Sequence, residues 1–129
     1  MRAIDTNVLV RLLTRDEARQ AASADEFASP GAWISHIVLV EALWVLDSVY
    51  ERTPDQLAAS VGMLLEHASL VVQDADIVSA ALEHFRERPA LGFSDCLVLE
   101  VARKAGHLPL GTFDRNLSKL PDTRRLGRS

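Results

Sequence analysis

Three things are scarce in this chain, and each scarcity excludes something. Its 129 residues hold a single cysteine, Cys96, so no internal disulfide can form, and the composition suits a reducing compartment. No apolar run approaches the roughly 18 residues needed to span a bilayer. The richest stretch, Ile37 to Leu46, is shorter and is interrupted by Glu41. The opening Met1-Arg2-Ala3-Ile4-Asp5 leaves no apolar stretch for a signal peptide. A soluble, cytoplasmic protein without membrane engagement is expected. Lysine is the third scarcity: the basic residues are twelve Arg and two Lys. Arg forks suit phosphate oxygens, but an Arg-heavy genome gives the same bias. The net charge of −4 speaks against a sequence-blind nucleic-acid binder, which is usually basic. Acids gathered to hold a cation would account for part of that charge.

What is present is ordinary globular material, 48% hydrophobic and 25% charged, enough for one domain spanning residues 1–129. There is no repeat, low-complexity tract or linker. Short apolar strands are expected at Arg2–Ile4, Ala32–Ile34, Leu70–Gln73 and Leu108–Gly111, with a weak strand around Arg125 in the polar tail. Helical spacing marks Val8–Thr14, Glu17–Ala28, Ile37–Tyr50 and a stretch from Pro54 to His67. Another helix starts at Asp74 or Asp76 and carries Ile77, Ala80, Ala81 and Phe85 on one face. The last long one runs from Ser94, read as its cap, to Lys104, and Asn116–Leu120 can form a short turn. Ser35 and Thr53-Pro54 are further N-terminal signals. Strands alternating with helices predict an α/β fold with a mainly parallel sheet covered on both faces, and ligands bind such sheets at the carboxyl ends of the strands.

Four acids stand out against this frame. Asp5 ends the first strand, where capping of the next helix is the plain alternative. Glu41 is the only polar residue between Ile37 and Leu46; a helix apolar nearly all round is expected to be buried, so this carboxylate needs a metal, an Arg or an escape to the surface. Asp95 sits in a first helical turn, which the helix dipole favours without any site. Asp114 follows the fourth strand and can equally be a turn aspartate. All four fall near one edge of a parallel sheet. Clustered carboxylates repel unless a cation neutralises them, and oxygen donors select Mg²⁺, with Mn²⁺ as a substitute, over zinc. His36, His67, His84 and His107 are scattered, and His84 simply shares its helix face.

At these residues the chain resembles a PIN-domain ribonuclease of the VapC toxin type. The matching segments are Ile4-Asp5-Thr6-Asn7, Val40-Glu41, Phe93-Ser94-Asp95 and Thr112-Phe113-Asp114, in order and over nearly the whole chain. The resemblance implies a PIN-like three-layer sandwich with four or five parallel strands and helices on both faces. It implies a catalytic metal site of Asp5, Glu41, Asp95 and Asp114, supported by Asn7, Ser94 and Thr112. It also implies an RNA substrate, a VapB-type antitoxin inserting an Arg or short segment at the acidic cleft, and a homodimer. Exposed apolar residues on the helices from Thr53 to His67 and Val78 to Phe85 are candidates for the dimer contact, core packing being the alternative. Hydrolysis through one or two Mg²⁺ ions would leave a 5′-phosphate and a 3′-hydroxyl. Arg115 and Lys119, with Arg124, Arg125 and Arg128 behind them, are candidate RNA contacts.

Two rivals belong to other classes. A receiver-like domain would need paired acids at the first strand and a lysine near the end. Asp74 can stand as its acceptor, but Asp5 has no acidic neighbour and Lys119 is poorly placed. A PIN-like fold that only binds RNA or a partner would not need all four acids. An Asp-x-Asp phosphatase is disfavoured because Thr6 and Asn7 follow Asp5.

Overall fold

The computed structural model describes residues 1–127, and Arg128, one of the candidate RNA contacts, lies outside them. The chain divides into two compact units, Met1–Ala75 and Asp76–Ser129.

In the first unit, β1 (Arg2–Ala3), β2 (Ala32–Ile34) and β3 (Leu70–Val72) form a parallel set in the order β1-β2-β3. Arg2 is in register with Ala32, and Ala32 with Leu70. Parallel neighbours need crossovers of a dozen or more residues. These are α1 (Thr6–Thr14) with α2 (Ala18–Ala28), then α3 (His36–Ser48) with α4 (Pro54–Glu66). Side chains of β2 alternate, with Ala32 and Ile34 buried and Trp33 36% exposed. Val71 on β3 is likewise exposed between two buried neighbours, so coverage is incomplete at these two residues.

The helices start where the sequence supplies caps. Ser35 Oγ accepts from the Val38 N–H at 3.1 Å. Thr53 and Gln56 cap reciprocally, the Thr53 hydroxyl accepting from Gln56 N–H and the Gln56 amide oxygen from Thr53 N–H. Helix α1 packs on α2 and α3, and α4 on β3. Leu9, Ile34, Leu39, Leu46, Val61 and Leu64 are fully buried in this unit.

In the second unit, α5 (Ala75–Glu87) buries Ile77, Val78, Ala81, Leu82 and Phe85. The second of the two apolar surfaces considered for a dimer is therefore core, because these residues repeat at helical spacing and all point inward. On α4, by contrast, Met63 remains 45% exposed. A 3-10 turn at Pro89–Leu91 leads into α6 (Phe93–Ala105). Phe93 meets Phe85 edge-on, with ring centroids 6.2 Å apart. Ser94 does not cap α6: the helix begins one residue earlier, and Gly92, at φ 76°, takes the cap position without a side-chain bond. A positive φ suits glycine there because it has no Cβ to clash. Gly106 closes α6 in the left-handed conformation.

The weak strand of the tail is real. β4 (Leu110–Thr112) and β5 (Thr123–Arg125) pair in parallel, Leu110 with Thr123 and Thr112 with Arg125. β5 contains no large apolar residue because its side chains are mostly exposed. The fold class is thus α/β with every strand pairing parallel, hydrogen-bonded as one three-stranded and one two-stranded set. Among the described residues, no helix is long and apolar enough to cross a membrane.

Candidate functional site

Asp5 leaves the end of β1 and caps α1. Its Oδ1 accepts from the Val8 N–H at 3.0 Å, so the capping alternative holds for this oxygen. Among the described residues Oδ2 has no partner, and the side chain is exposed. Asp5 and Asn7 line a cavity of about 440 Å³ with Arg11, Arg19 and Gln20. Neither arginine stood out in the sequence, because the helical periodicity there shows only that they lie off the core face.

Glu41 corrects one expectation. It is exposed rather than buried, because α3 is not apolar to equal effect all round. Leu39, Ala42, Leu43 and Leu46 form its buried face. Ile37, Glu41 and Trp44, spaced by four and three residues, form an outer stripe on which Ile37 is 73% and Trp44 66% exposed. Glu41 is nonetheless held: Thr6 Oγ1 donates to its Oε1 at 3.0 Å. Thr6 directly follows Asp5, so one dipeptide carries the first acid and fixes the second. The sequence shows Thr6 as a short hydrogen-bonding residue, but not that its partner lies 35 positions away. Thr6→Val is expected to lower divalent-metal affinity about tenfold, as for other residues that orient ligands. Isothermal titration with Mn²⁺ checks this, and unchanged affinity removes Thr6 from the site.

The second unit holds the other pair. Asp95 lies in the first turn of α6 and is half-buried. Burial raises its carboxyl above the usual range, and the nearby Asp114 charge raises it further. Asp114 is fixed by its turn. Its Oδ1 accepts from Asn116 N–H at 2.7 Å and Leu117 N–H at 3.0 Å, while its own N–H donates to Thr112 Oγ1 at 3.0 Å. Thr112 therefore supports Asp114. Ser94 is exposed and, among the described residues, bonds to neither acid. Cys96 is no nucleophile: burial, then the Asp95 charge, pushes its thiol up to about 11.

In the first unit Thr6, the chain neighbour of Asp5, thus bonds Glu41, and in the second the Asp114 charge acts on Asp95. Among the described residues, no group of three or more His, Cys, Asp or Glu side chains is gathered as a metal cage. The donor chemistry still fits Mg²⁺, which keeps several waters and is bound through one or two carboxylates plus substrate phosphate. All the available donors are hard oxygens. His84 Nε2 lies 2.9 Å from Glu100 Oε2.

The PIN domain family matches residues 3–122. The chain belongs to that family, whose members are generally divalent-metal-dependent nucleases. Among solved structures it is similar to the Mycobacterium tuberculosis VapC20 toxin, which cleaves the sarcin-ricin loop. Identity is 21%, with 92% of this chain and 94% of that chain covered, at a TM-score of 0.44. No curated protein matches.

Proposed function

We propose that this chain is a Mg²⁺-dependent endoribonuclease, the toxin of a VapC-type toxin–antitoxin pair, in which Mn²⁺ can replace Mg²⁺. Asp5, Glu41, Asp95 and Asp114 are its catalytic acids. The observation that carries this reading is the half-burial of Asp95 within reach of the Asp114 charge. A carboxylate that is half-buried and feels a second negative charge carries a cost that a divalent cation removes. Such a cation, when bound, supplies charge neutralisation at the scissile phosphate and an activated water.

The residues do the positioning. Asp5 keeps one oxygen on the helix N-terminus and presents the other. Asp114 is locked by two backbone N–H groups, and Glu41 is oriented by Thr6. These bonds fix side-chain rotamers in advance, which lowers the ordering cost of assembling a site. Thr112 supports Asp114, and Asn7 lines the cavity beside Asp5. Arg115 and Lys119 are exposed and suited to RNA phosphates. A homodimer, an antitoxin that inserts an Arg or short segment against the acids, and a cytoplasmic setting complete the reading.

A binding-only PIN domain is the alternative, favoured by the lack of a gathered group of three acids among the described residues. One experiment separates the two. Wild-type protein is incubated with a panel of structured RNAs, with and without Mg²⁺ or Mn²⁺, beside Asp5→Asn. Cleavage that needs metal, leaves 5′-phosphate ends and disappears in Asp5→Asn supports the nuclease. Full activity in Asp5→Asn removes Asp5 from the mechanism. No cleavage and no calorimetric metal uptake leaves the binder.

A further inference from the structure

Within the second unit, Arg88, Ala90, Leu91, Asn116 and Lys119 line a cavity of about 290 Å³. It has two cations, one side-chain amide and no acid. Both cations are exposed, and among the described residues neither side chain has a hydrogen-bonding or acidic partner. The other lysine of the chain, by contrast, lies 3.3 Å from Asp76. Two like charges facing one cavity repel, and the arrangement gains from an anion between them.

The local chain explains why they meet. Arg88 precedes the Pro89–Leu91 turn that leads into α6 and Asp95. Asn116 and Lys119 belong to the turn that Asp114 caps, the Asn116 N–H donating directly to Asp114 Oδ1. The two segments that carry the acidic pair therefore also carry the cations, one before Asp95 and one after Asp114.

We propose that Arg88, Lys119 and the Asn116 amide form a phosphate subsite for the RNA strand, holding a phosphodiester next to the one presented to Asp95 and Asp114. The proposal rests on the nuclease reading for its substrate, and it adds Arg88 and the Asn116 amide, which carry no distinguishing signal in the sequence. Arg88 offers a planar fork that can take two oxygens of one phosphate, and Lys119 offers a point charge. These residues bind and position the strand, while the chemistry stays with the acids.

The test measures fluorescence anisotropy of a labelled poly(U) oligonucleotide across a salt series, in an Asp95→Asn background so that the RNA is not consumed. Arg88→Ala and Lys119→Ala are compared with Arg86→Ala, an exposed charge-matched control on α5. Each subsite variant is expected to lose about three- to tenfold in affinity, and to flatten the log–log salt slope by about 0.7 for each phosphate contact removed. In the otherwise wild-type enzyme, both raise KM and leave kcat within about twofold, the signature of lost uniform binding. Arg88→Lys restores part of the affinity. Affinity and slope indistinguishable from Arg86→Ala overturn the proposal. So does inorganic phosphate protecting the wild-type fold against heat while poly(U) binding is unchanged by the substitutions, which would make this a free-anion site. A wild-type protein that binds poly(U) through Arg88 but cleaves no RNA overturns the nuclease reading and leaves the subsite standing.

Discussion

Asp95→Asn is expected to abolish metal-dependent RNA cleavage while making the metal-free protein more resistant to heat. The two halves of that result have one cause. Asp95 is half-buried near Asp114, and both burial and that neighbouring charge lift its carboxyl above its ordinary value of 3.8. A carboxyl whose folded value exceeds its unfolded one binds its proton more tightly in the native state. Stability contributed by this group is therefore fully present at low pH. It is lost as pH rises from the ordinary value through the raised one. At neutral pH the ionised Asp95 is a liability, and the neutral amide of Asn removes it. Below the ordinary value, where Asp95 is protonated in both states, the advantage of the variant vanishes.

Added Mg²⁺ reverses the order. Wild type gains stability with metal concentration by mass action, and the variant gains much less. A loss of several kcal/mol of charge stabilisation at the scissile phosphate corresponds to about a thousandfold or more in rate. Thermal melts across pH, with and without metal, read the first half, and RNA cleavage reads the second. A variant less stable than wild type without metal at neutral pH would mean that Asp95 makes favourable contacts that outweigh its repulsion. The metal reading of the pair would then lose its foundation.

How far the sequence could be read depended on how local each signal was. Ser35 and Thr53 act within one turn of their own helix, and neighbours alone suffice to place each. Ser94 misleads because Gly92, a residue tolerant of positive φ, takes the cap position two residues before the hydroxyl. β5 was faint because its residues are polar: a short, exposed strand needs only backbone pairing with β4, which leaves no mark in hydropathy. Glu41 stands out as the one polar residue of an apolar run, and of its alternatives the surface is where it lies. Its apolar neighbours implied burial, whereas Ile37 and Trp44 share its exposed stripe, and only the three-dimensional approach of Thr6 shows that its carboxylate is held. Arg11, Arg19 and Arg88 were not singled out at all. A surface cation carries no periodic signal that distinguishes a cavity lining from a solvated face. The four acids read as a set from their places near one edge of a parallel sheet, and family resemblance adds the register between distant segments.

The largest stability loss outside the hydrophobic core is expected from Glu100→Ala. Glu100 is the one buried charged residue among those described, 7% exposed on α6. Its Oε2 lies 2.9 Å from His84 Nε2 and accepts from Arg103 Nε at 3.3 Å, and Arg103 also pairs with Asp122. This links α5, α6 and the segment just before β5 within the second unit. The buried carboxylate is satisfied, and no buried side-chain polar atom among the described residues lacks a partner. Removing it leaves a cavity and two donors facing each other. A fully buried pair broken in this way costs about 3–5 kcal/mol, but His84 and Arg103 keep 24% and 34% side-chain exposure and can turn to water. The expected loss is therefore about 2–3 kcal/mol, read as a lower urea midpoint with unchanged slope. Glu100→Gln keeps the shape and one acceptor, so it should lose less. His84→Ala and Glu100→Ala should be less than additive because they share one contact. Metal affinity should not change in His84→Ala, since this histidine is bound up in the fold. A Glu100→Ala protein as stable as wild type would show that water replaces the network at no cost, and that the second unit is held by its apolar residues alone.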